Sequence, residues 1–449
     1  MSYQTAIERM YALGHELAQT PSHKFDLAHM RVLLGALNHP EQRFPSVLIA
    51  GTNGKGSTAA TLASILQASG LRTGLYTSPH LVRINERIRI NGEEIADNDF
   101  AMLHDVVDRT AERLVGEGDL PWHPSFFEMV TAIAFEHFAQ SRLDIAVLEV
   151  GMGGRLDATN VVEPRVSVIT DIALDHQKFL GDTVAEIARE KAGIIRPNGV
   201  VVTLPQTPQA NDVIGNTILD LGARAVSAVP YVPPVSPGSD QYFDPAAERH
   251  ENLPISRYAL QVMGKEIWVE TPLLGRHQLR NIALAIAAAE ELSKQTFPIT
   301  ADSIERGIRA TRWPGRFQII PGSPEYVLDV AHNPAGAWAL RSTLSASYDG
   351  RPLTMIFGAM RDKAIGEMAE ILFPLADCVI LTRADNPRSA SPEEIREAAV
   401  RTSTDMEDAA DVESALERAR AVTGPNGVVV ITGSIYIVGE AMRLLGARI

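Results

Sequence analysis

The sequence predicts an α/β protein, in which a P-loop ATPase domain built on a parallel sheet is followed by a smaller Rossmann-like α/β domain. Short apolar runs alternate with segments of helical period through most of the chain, which is typical of parallel sheets covered by helices on both faces. The apolar run 47–50 leads directly into a glycine-rich turn that contains a lysine. With 449 residues the chain is too long for one core, and we expect domains over 1–297 and 298–449.

The turn at residues 51–58 has the composition of a phosphate-binding loop. Glycines let backbone N–H groups close around an anion, the next helix N-terminus adds its positive end, and Lys55 can reach the terminal phosphates. A tight strand-to-helix turn with an exposed lysine is the alternative. Only two residues separate Gly51 from Gly54, and Gly56 stands where a Ser or Thr usually ligates Mg²⁺. If ATP binds here with its metal, that hydroxyl must come from elsewhere.

The composition argues against several classes of protein. The net charge of −14 argues against a nucleic-acid binder, which needs a basic surface. The single cysteine, Cys378, rules out an internal disulfide framework and suits a reducing compartment. No stretch approaches the ~18 apolar residues that a membrane span needs, and the first residues show no secretory signal. We expect a cytoplasmic protein that binds neither nucleic acid nor a membrane.

The elements can be assigned in chain order. Helices are expected at the start of the chain to about residue 45, and then over 57–70, 97–115, 126–140 and 183–192. Strands are predicted at 47–50, 71–76, 143–150, 166–171 and 200–203, with a hairpin around 86–92. From 205 to 272 the pattern weakens and prolines cluster, which predicts an irregular excursion of loops and short antiparallel strands. After an Ala-rich helix at 281–292, strands are predicted at 326–330, 353–358, 378–382 and 428–432.

Polar clusters follow the predicted strands. They lie at 51–58, 77–80, 149–157, 171–178 and 329–334. Ligands of open parallel sheets bind beyond the carboxyl ends of the strands. We therefore expect these clusters to converge on one cleft between the domains.

The residues in the clusters also have ordinary structural explanations. Ser78 is either the missing hydroxyl ligand of Mg²⁺ or the residue that sets a Ser-Pro turn. Glu149 ends an apolar strand, where a carboxylate suits Mg²⁺, or it is a solvated loop acid. A lone histidine such as His176 is more often structural, and Lys191 has the position of a surface lysine near a helix C-terminus.

An ordinary structural role is an alternative to a functional one for three further features. Ser125 and Glu128 have the spacing of a capping box, and the phenylalanines between them are more often core than ligand contacts. Arg316 can clamp a phosphate with forked hydrogen bonds. Asp329 ends a predicted strand, where a carboxylate can accept hydrogen bonds from ribose hydroxyls.

Taken together, these motifs resemble the folylpolyglutamate synthase/dihydrofolate synthase family, within the wider group that includes the Mur ligases of cell-wall synthesis. The resemblance rests on GTNGKGS (51–57), SPHL (78–81), EVGMGGRLDATN (149–160), DH (175–176), REKAG (189–193), PGRF (314–317), DVAHNP (329–334) and GSIYIVGE (433–440). The Lys-Gly-Ser form of the loop, with the segments around Glu149 and Lys191, favours the folate branch. Residues 205–270 match poorly.

The resemblance implies an ATP-dependent ligase that adds L-glutamate to a folate, to dihydropteroate or to both, through an acyl phosphate. It implies ATP contacts by Thr52, Asn53, Gly54, Lys55, Gly56, Ser57, Thr58, Asn281, Arg316 and Asp329. It implies contacts with the pterin-bearing substrate by Lys24, Phe25, Asp26, Leu27, Ser125, Phe126, Phe127, Glu128, Leu156, Asp157, Ala158 and His332.

The resemblance also implies a metal centre. Mg²⁺ would be surrounded by Ser78, Glu149 and His176, and Lys191 would be carbamylated to bind a second Mg²⁺. Lys55, Lys191 and His176 are then the expected catalytic residues, and the protein is expected to be a monomer. Two other functions stay open: a Mur-type ligase that acts on a nucleotide-linked peptide, and a non-catalytic binding protein that uses ATP as a switch.

Overall fold

The computed structural model describes residues 1–14, 26–234 and 254–447, which form two α/β units. The α-helices are α1 Tyr3–Ala12, α2 Leu27–Ala36, α3 Lys55–Ala68, α4 Asp97–Glu117, α5 Phe126–Gln140, α6 Gln177–Leu180, α7 Val184–Ala192, α8 Pro208–Asp220, α9 Arg276–Ser293, α10 Ala301–Ala310, α11 Pro334–Ser347, α12 Ile365–Leu372, α13 Pro392–Ala398, α14 Val412–Val422 and α15 Ile435–Leu445. The strands are β1 Ser46–Ala50, β2 Thr73–Tyr76, β3 Ile88–Ile90, β4 Glu93–Glu94, β5 Ile145–Glu149, β6 Val166–Ile169, β7 Val200–Thr203, β8 Arg224–Ser227, β9 Ser256–Val262, β10 Lys265–Thr271, β11 Gln318–Ile320, β12 Glu325–Leu328, β13 Leu353–Phe357, β14 Cys378–Leu381, β15 Met406–Asp408 and β16 Val428–Thr432.

Among the described residues, the first sheet has eight strands in the order β4-β3-β2-β5-β1-β6-β7-β8, and it is parallel except for β3 and β4. Its central strand β1 is buried on both faces. Val47 and Ile49 pack into the core formed with α3, α9 and α10, whereas Leu48 and Ala50 pack into the core on the side of α2, α4 and α5. Burial on both faces explains why this strand is apolar at nearly every position.

The second sheet has, within the described ranges, six strands in the order β11-β12-β16-β13-β14-β15, of which only β11 is antiparallel. Its faces are covered by α11 to α13 on one side and by α14 and α15 on the other. The predicted α/β architecture with two largely parallel sheets is confirmed. We call the parts of the chain built on the two sheets the N-terminal and the C-terminal unit.

The prediction of loops and short antiparallel strands over 205–272 is wrong for its first part. Helix α8 and strand β8 continue the first sheet, and β8 pairs in parallel with β7. Three of the four residues of β8 are exposed, because it is an edge strand, so it lacks the apolar run that marks the central strands. Strands β9 and β10 do form the expected antiparallel pair. The described residues do not include 235–253.

Helix α10 packs with the N-terminal unit. Ile304 and Ile308 lie in the same core as α3, and a Cβ on Gly307 would lie 2.4 Å from the Cα of Ile65. The boundary at 297/298 stays a prediction, and these contacts favour a boundary between Ala310 and Gln318. Within the described ranges, no helix combines the length and the apolar character that crossing a bilayer requires.

Candidate active site

A cavity of about 920 Å³ lies where the carboxyl ends of the two parallel sheets face each other. Its wall is formed by segments that follow β1, β2, β5 and β6 in the N-terminal unit and β12, β13 and β16 in the C-terminal unit. The structure therefore brings the five polar clusters together in one cleft. The volume is within the range of small-molecule sites.

The phosphate loop is anchored to the segment that follows β6. The backbone N–H groups of Thr52 and Asn53 donate to the Asp171 carbonyl at 2.8 and 3.2 Å. Gly54 has a φ of +87°, and a Cβ there would lie 2.2 Å from Asn281 Oδ1, so the position requires glycine. Helix α3 begins at Lys55, and the N–H groups of its first turn lack acceptors within the helix. The loop thus presents N–H donors beside a lysine.

The structure explains why the loop lacks its usual hydroxyl. The indole ring of Trp313 lies against Gly56, where a Cβ would be 3.0 Å from the ring. A Ser or Thr at position 56 would therefore displace this ring. Thr58, predicted to contact ATP, is fully buried beneath the loop and does not line the cavity.

Glu149 is a buried carboxylate with little compensation. It is 4% exposed; its Oε2 accepts from the Ser78 backbone N–H at 3.2 Å, and its Oε1 lies 4.0 Å from Lys55 Nζ. Burial raises the pKa of Glu149, and the opposing attraction of Lys55 is smaller. Glu149 is not a solvated loop acid, and its environment favours a cationic ligand.

Lys191 is buried, which contradicts its interpretation as a surface lysine. Its Nζ donates to the Gly51 carbonyl at 2.8 Å and so contacts the start of the phosphate loop. Burial, together with repulsion from Lys55, lowers the pKa of Lys191 to about 7. A large fraction of this amine is therefore neutral near physiological pH.

Asp175 joins the two units across the cavity. Lys363 Nζ donates to Asp175 Oδ1 at 2.6 Å, and Asn333 Nδ2 donates to Oδ2 at 3.2 Å. Burial opposes ionisation, but the hydrogen bond from His332 and the charge of Lys363 more than offset it and hold the pKa of Asp175 well below its usual range. Burial also lowers the pKa of His176 to about 3, so this imidazole is neutral. A neutral histidine is available as a ligand.

Asp329 and Arg316 lie on the C-terminal side of the cavity. Both carboxylate oxygens of Asp329 accept backbone hydrogen bonds at 2.9 Å, from Phe317 and Ala331, and burial raises its pKa. The Arg316 guanidinium lies 5.8 Å from the centre of the Trp313 ring. Asn281 lines the cavity beside the phosphate loop.

One part of the cavity wall, which we call the acceptor end, is lined by residues predicted to contact the substrate. They are Asp26, Leu27, Ser125, Phe127, Glu128, Leu156, Asp157 and Ala158. Phe126 does not line the cavity: it is buried in the core, with its ring stacked on Tyr11. Lys24 and Phe25 lie outside the described residues.

The chain is similar over its full length to proteins of known family. Residues 127–289 match the Mur ligase middle domain, and residues 315–435 match the glutamate ligase domain of Mur ligases. The folylpolyglutamate synthase of Lacticaseibacillus casei is 35% identical over 455 residues, which cover 100% of both chains. The chain belongs to the folylpolyglutamate synthase/dihydrofolate synthase family.

Solved structures of this family have the same fold. Mycobacterium tuberculosis folylpolyglutamate synthase complexed with ADP has a TM-score of 0.86 at 31% identity, over 99% of both chains. Escherichia coli FolC in complex with DHPP and ADP has a TM-score of 0.81 at 30% identity, over 98% of this chain and 97% of the other. The chain is therefore an ATP-dependent ligase, and the predicted family, fold class and enzyme class are confirmed.

The residues expected around Mg²⁺ fit this ion in their chemistry. Ser78 and Glu149 offer oxygen donors, and the undercompensated charge of Glu149 would be neutralised by a cation. Among the residues that the structure describes, no group of three or more His, Cys, Asp or Glu side chains is arranged to hold a metal. A small number of protein ligands is typical of Mg²⁺ sites, because the ion keeps several of its water ligands and also binds the phosphates of the substrate.

Sequence reasoning missed several residues of the site. Lys363 had a usable signal, because it belongs to a polar segment that follows β13 in the same way as the recognised clusters. Trp313 adjoins the motif that contains Arg316, but nothing local connects it to Gly56. His29 lies in a helix of mostly apolar residues and gives no sequence signal.

Proposed function

We propose that this family member joins L-glutamate to the carboxylate of a folate or of dihydropteroate, through an acyl phosphate formed with ATP. The observation that carries the proposal is one cavity that encloses a phosphate loop, a buried lysine and carboxylate, and cations from a second unit. The structure of the Escherichia coli relative with DHPP and ADP supports an acceptor of this kind.

The residues of the N-terminal unit would act mainly by charge and position. Lys55 and the N–H groups at the start of α3 would bind the ATP phosphates and stabilise the charge that develops during phosphoryl transfer. Mg²⁺ held by Ser78, Glu149 and His176 would neutralise phosphate charge. Phosphoryl transfer needs little covalent chemistry from the protein.

The residues of the C-terminal unit would close the cavity and bind the amino acid. Lys363 and Arg388 bring cations to the cavity wall, each paired with an aspartate, Asp175 and Asp362. The carboxylates of the substrate glutamate can replace these aspartates as the ion-pair partners of Lys363 and Arg388. Contacts across the cleft, such as Asn333 Nδ2 to Asn53 Oδ1 at 3.0 Å, would exclude the water that hydrolyses an acyl phosphate.

Carbamylation of Lys191 is part of this proposal. The neutral amine attacks CO₂, a C–N bond forms and one proton is released, which leaves a carboxylate-like group. The pKa of about 7 supports the reaction, because it supplies the neutral amine. The wild-type enzyme incubated with ¹³C-bicarbonate should show a carbamate carbon signal that Lys191→Met lacks. Identical spectra for the two proteins would contradict carbamylation.

The reaction is tested by incorporation of labelled glutamate with each acceptor in turn. We expect ADP release that requires both glutamate and a pterin acceptor, and transfer of ¹⁸O from the acceptor carboxylate to phosphate. Activity with a UDP-muramoyl acceptor alone would favour the Mur-type reaction. ATP binding without glutamate-dependent ADP release would favour a nucleotide-switched binding protein.

The monomeric state and the cytoplasmic location stay predictions. Sedimentation velocity at several concentrations tests the first, and a dimer that persists on dilution would contradict it.

A further inference from the structure

His29 lies in the wall of the acceptor end, between two hydrogen-bond acceptors. The residue is 8% exposed, its Nδ1 lies 3.0 Å from Glu128 Oε1, and its Nε2 lies 3.0 Å from the carbonyl oxygen of Trp122. A carbonyl oxygen only accepts, so Nε2 must carry a proton. The facing carboxylate oxygen accepts as well, so Nδ1 also carries one. The geometry therefore describes an imidazolium.

The charges around His29 agree with this protonation state. Burial opposes the positive charge, but the hydrogen bond and attraction of Glu128 more than offset it and raise the pKa of His29. Burial likewise opposes the charge on Glu128, and His29 and Ser125 outweigh it and lower the pKa of that carboxyl. Asp26, at the N-terminus of α2, also favours the positive charge on His29. The ring of His29 is stacked on Trp122, with centroids 5.6 Å apart.

Glu128 in turn fixes the direction of the Ser125 hydroxyl. Its Oε2 accepts from the Ser125 backbone N–H at 2.8 Å and from Ser125 Oγ at 2.7 Å. The Glu128 backbone N–H donates back to Ser125 Oγ at 3.3 Å. A serine hydroxyl has one proton and two lone pairs. With its proton given to Glu128, Ser125 has only a lone pair left for the cavity.

We propose that His29 is a positioning residue that sets the hydrogen-bonding polarity of the acceptor end. Through Glu128 it keeps the Ser125 proton turned away from the cavity, so Ser125 accepts a hydrogen bond from an N–H group of the acceptor's ring system. The inference rests on the proposed function and deepens it, because it names the chemical feature that the site selects. Reduced pterins carry such N–H groups.

A matched pair of variants tests the proposal. His39 Nδ1 lies 3.0 Å from Glu41 Oε1, as His29 Nδ1 does from Glu128, but His39 does not line the cavity. His29→Asn should raise the KM for dihydropteroate by about tenfold, since a charge-assisted hydrogen bond is lost. The KM for ATP should stay within about twofold, and His39→Asn should change neither constant.

The pH profile and two serine variants separate positioning from a structural role. Deprotonation of His29 removes the donor to Glu128, so kcat/KM for dihydropteroate should fall as the pH rises through the raised pKa of His29. His29→Asn should lack this decrease. Ser125→Thr, which keeps the hydroxyl, should retain a low KM, and Ser125→Ala should not.

A spectroscopic measurement needs no variant that has to fold. Long-range ¹H–¹⁵N spectra of the wild-type enzyme at pH 7 should show both nitrogens of His29 protonated. A neutral single tautomer, or an active enzyme whose KM for dihydropteroate is unchanged by His29→Asn, overturns this inference alone. A wild-type enzyme that incorporates no glutamate with any pterin overturns the proposed function, whatever the state of His29.

Discussion

The buried charged groups at the two ends of the cavity differ in how many partners the protein gives them. At the part of the cavity formed by the phosphate loop, which we call the nucleotide end, Glu149 accepts one backbone hydrogen bond at 3.2 Å and lies 4.0 Å from Lys55, and Lys191 donates to a backbone carbonyl. At the acceptor end, both carboxylate oxygens of Glu128 and both nitrogens of His29 have partners within 3.0 Å. The first set of charges is incomplete without a ligand, and the second is complete within the protein.

The pKa shifts follow this difference. Burial raises the pKa of Glu149 and lowers that of Lys191, so each group is pushed toward its neutral form. The pair of His29 and Glu128 shifts the other way, toward the charged forms. Sites that bind ligands often store such unfavourable electrostatics, which a ligand relieves. Substitutions at the two ends should therefore have opposite effects on stability.

The largest effect is expected at the nucleotide end. Lys55→Ala should lower kcat/KM by about 10³-fold or more, because a preorganised charge at the transferred phosphate is lost. Its thermal midpoint should stay close to that of the wild type, since the ion pair of Lys55 with Glu149 is long, at 4.0 Å. Glutamate incorporation measures kcat/KM, and thermal denaturation measures the midpoint. Lys265→Ala, which removes an exposed ion pair with Asp302, is the control. Normal turnover in Lys55→Ala would refute the assignment of the loop.

A pair of glutamine substitutions compares the two ends directly. Glu149→Gln removes a poorly compensated charge, so its free energy of unfolding should be unchanged or higher by about 1 kcal/mol, with activity about 10²-fold lower. Glu128→Gln leaves the His29 cation unpaired and should lower the free energy of unfolding by about 1–3 kcal/mol. Denaturant titration at pH 7 gives both values. Equal destabilisation by the two changes would show that the ends do not differ.

Lys191 gives the comparison a pH dependence. Between pH 7 and its ordinary pKa near 10.5, the unfolded chain binds a proton at Lys191 that the folded protein has released. The contribution of Lys191 to the free energy of unfolding therefore increases as the pH rises through that window. Lys191→Met should flatten the increase, as measured by denaturant titration from about pH 7.5 to 9.5 in CO₂-free buffer. The same slope in both proteins would contradict the shifted pKa.

The sequence predicts elements well where local pattern decides them. The apolar run of β1 and the glycine spacing of residues 51–58 identify the strand, the loop and the helix that follows. Prediction fails where distant contacts decide the outcome. Lys191 has the local pattern of a surface residue at a helix end, and only the approach of Gly51 shows that it is buried. β8 lacks an apolar run because it is an edge strand.

The candidate site follows the same rule. Motifs near strand ends identify Glu149, Ser78 and His176, because every parallel strand delivers its carboxyl end to one edge of the sheet. His29 reaches Glu128 across 99 positions in the chain, and no local periodicity reports that contact. Orientation is also beyond the local pattern, since Phe126 and Phe127 are adjacent in one helix but face different surroundings.

These two phenylalanines provide the smallest effect and a test within the acceptor end. Phe126→Leu should lower the free energy of unfolding by about 1 kcal/mol, because its ring is packed in the core, and leave the KM for the pterin acceptor unchanged. Phe127 lines the cavity, with its ring against Gly151, where a Cβ would lie 2.5 Å from Cζ. Phe127→Leu should therefore raise that KM by several-fold, about the effect of losing part of an apolar contact.

The two variants control for each other, because both replace a phenylalanine of α5 by leucine. Damage to α5 itself would change the KM and the free energy of unfolding in both variants. A KM that is raised only in Phe126→Leu would show that Phe126, and not Phe127, contacts the acceptor. The acceptor end would then extend toward Tyr11, whose ring stacks on Phe126.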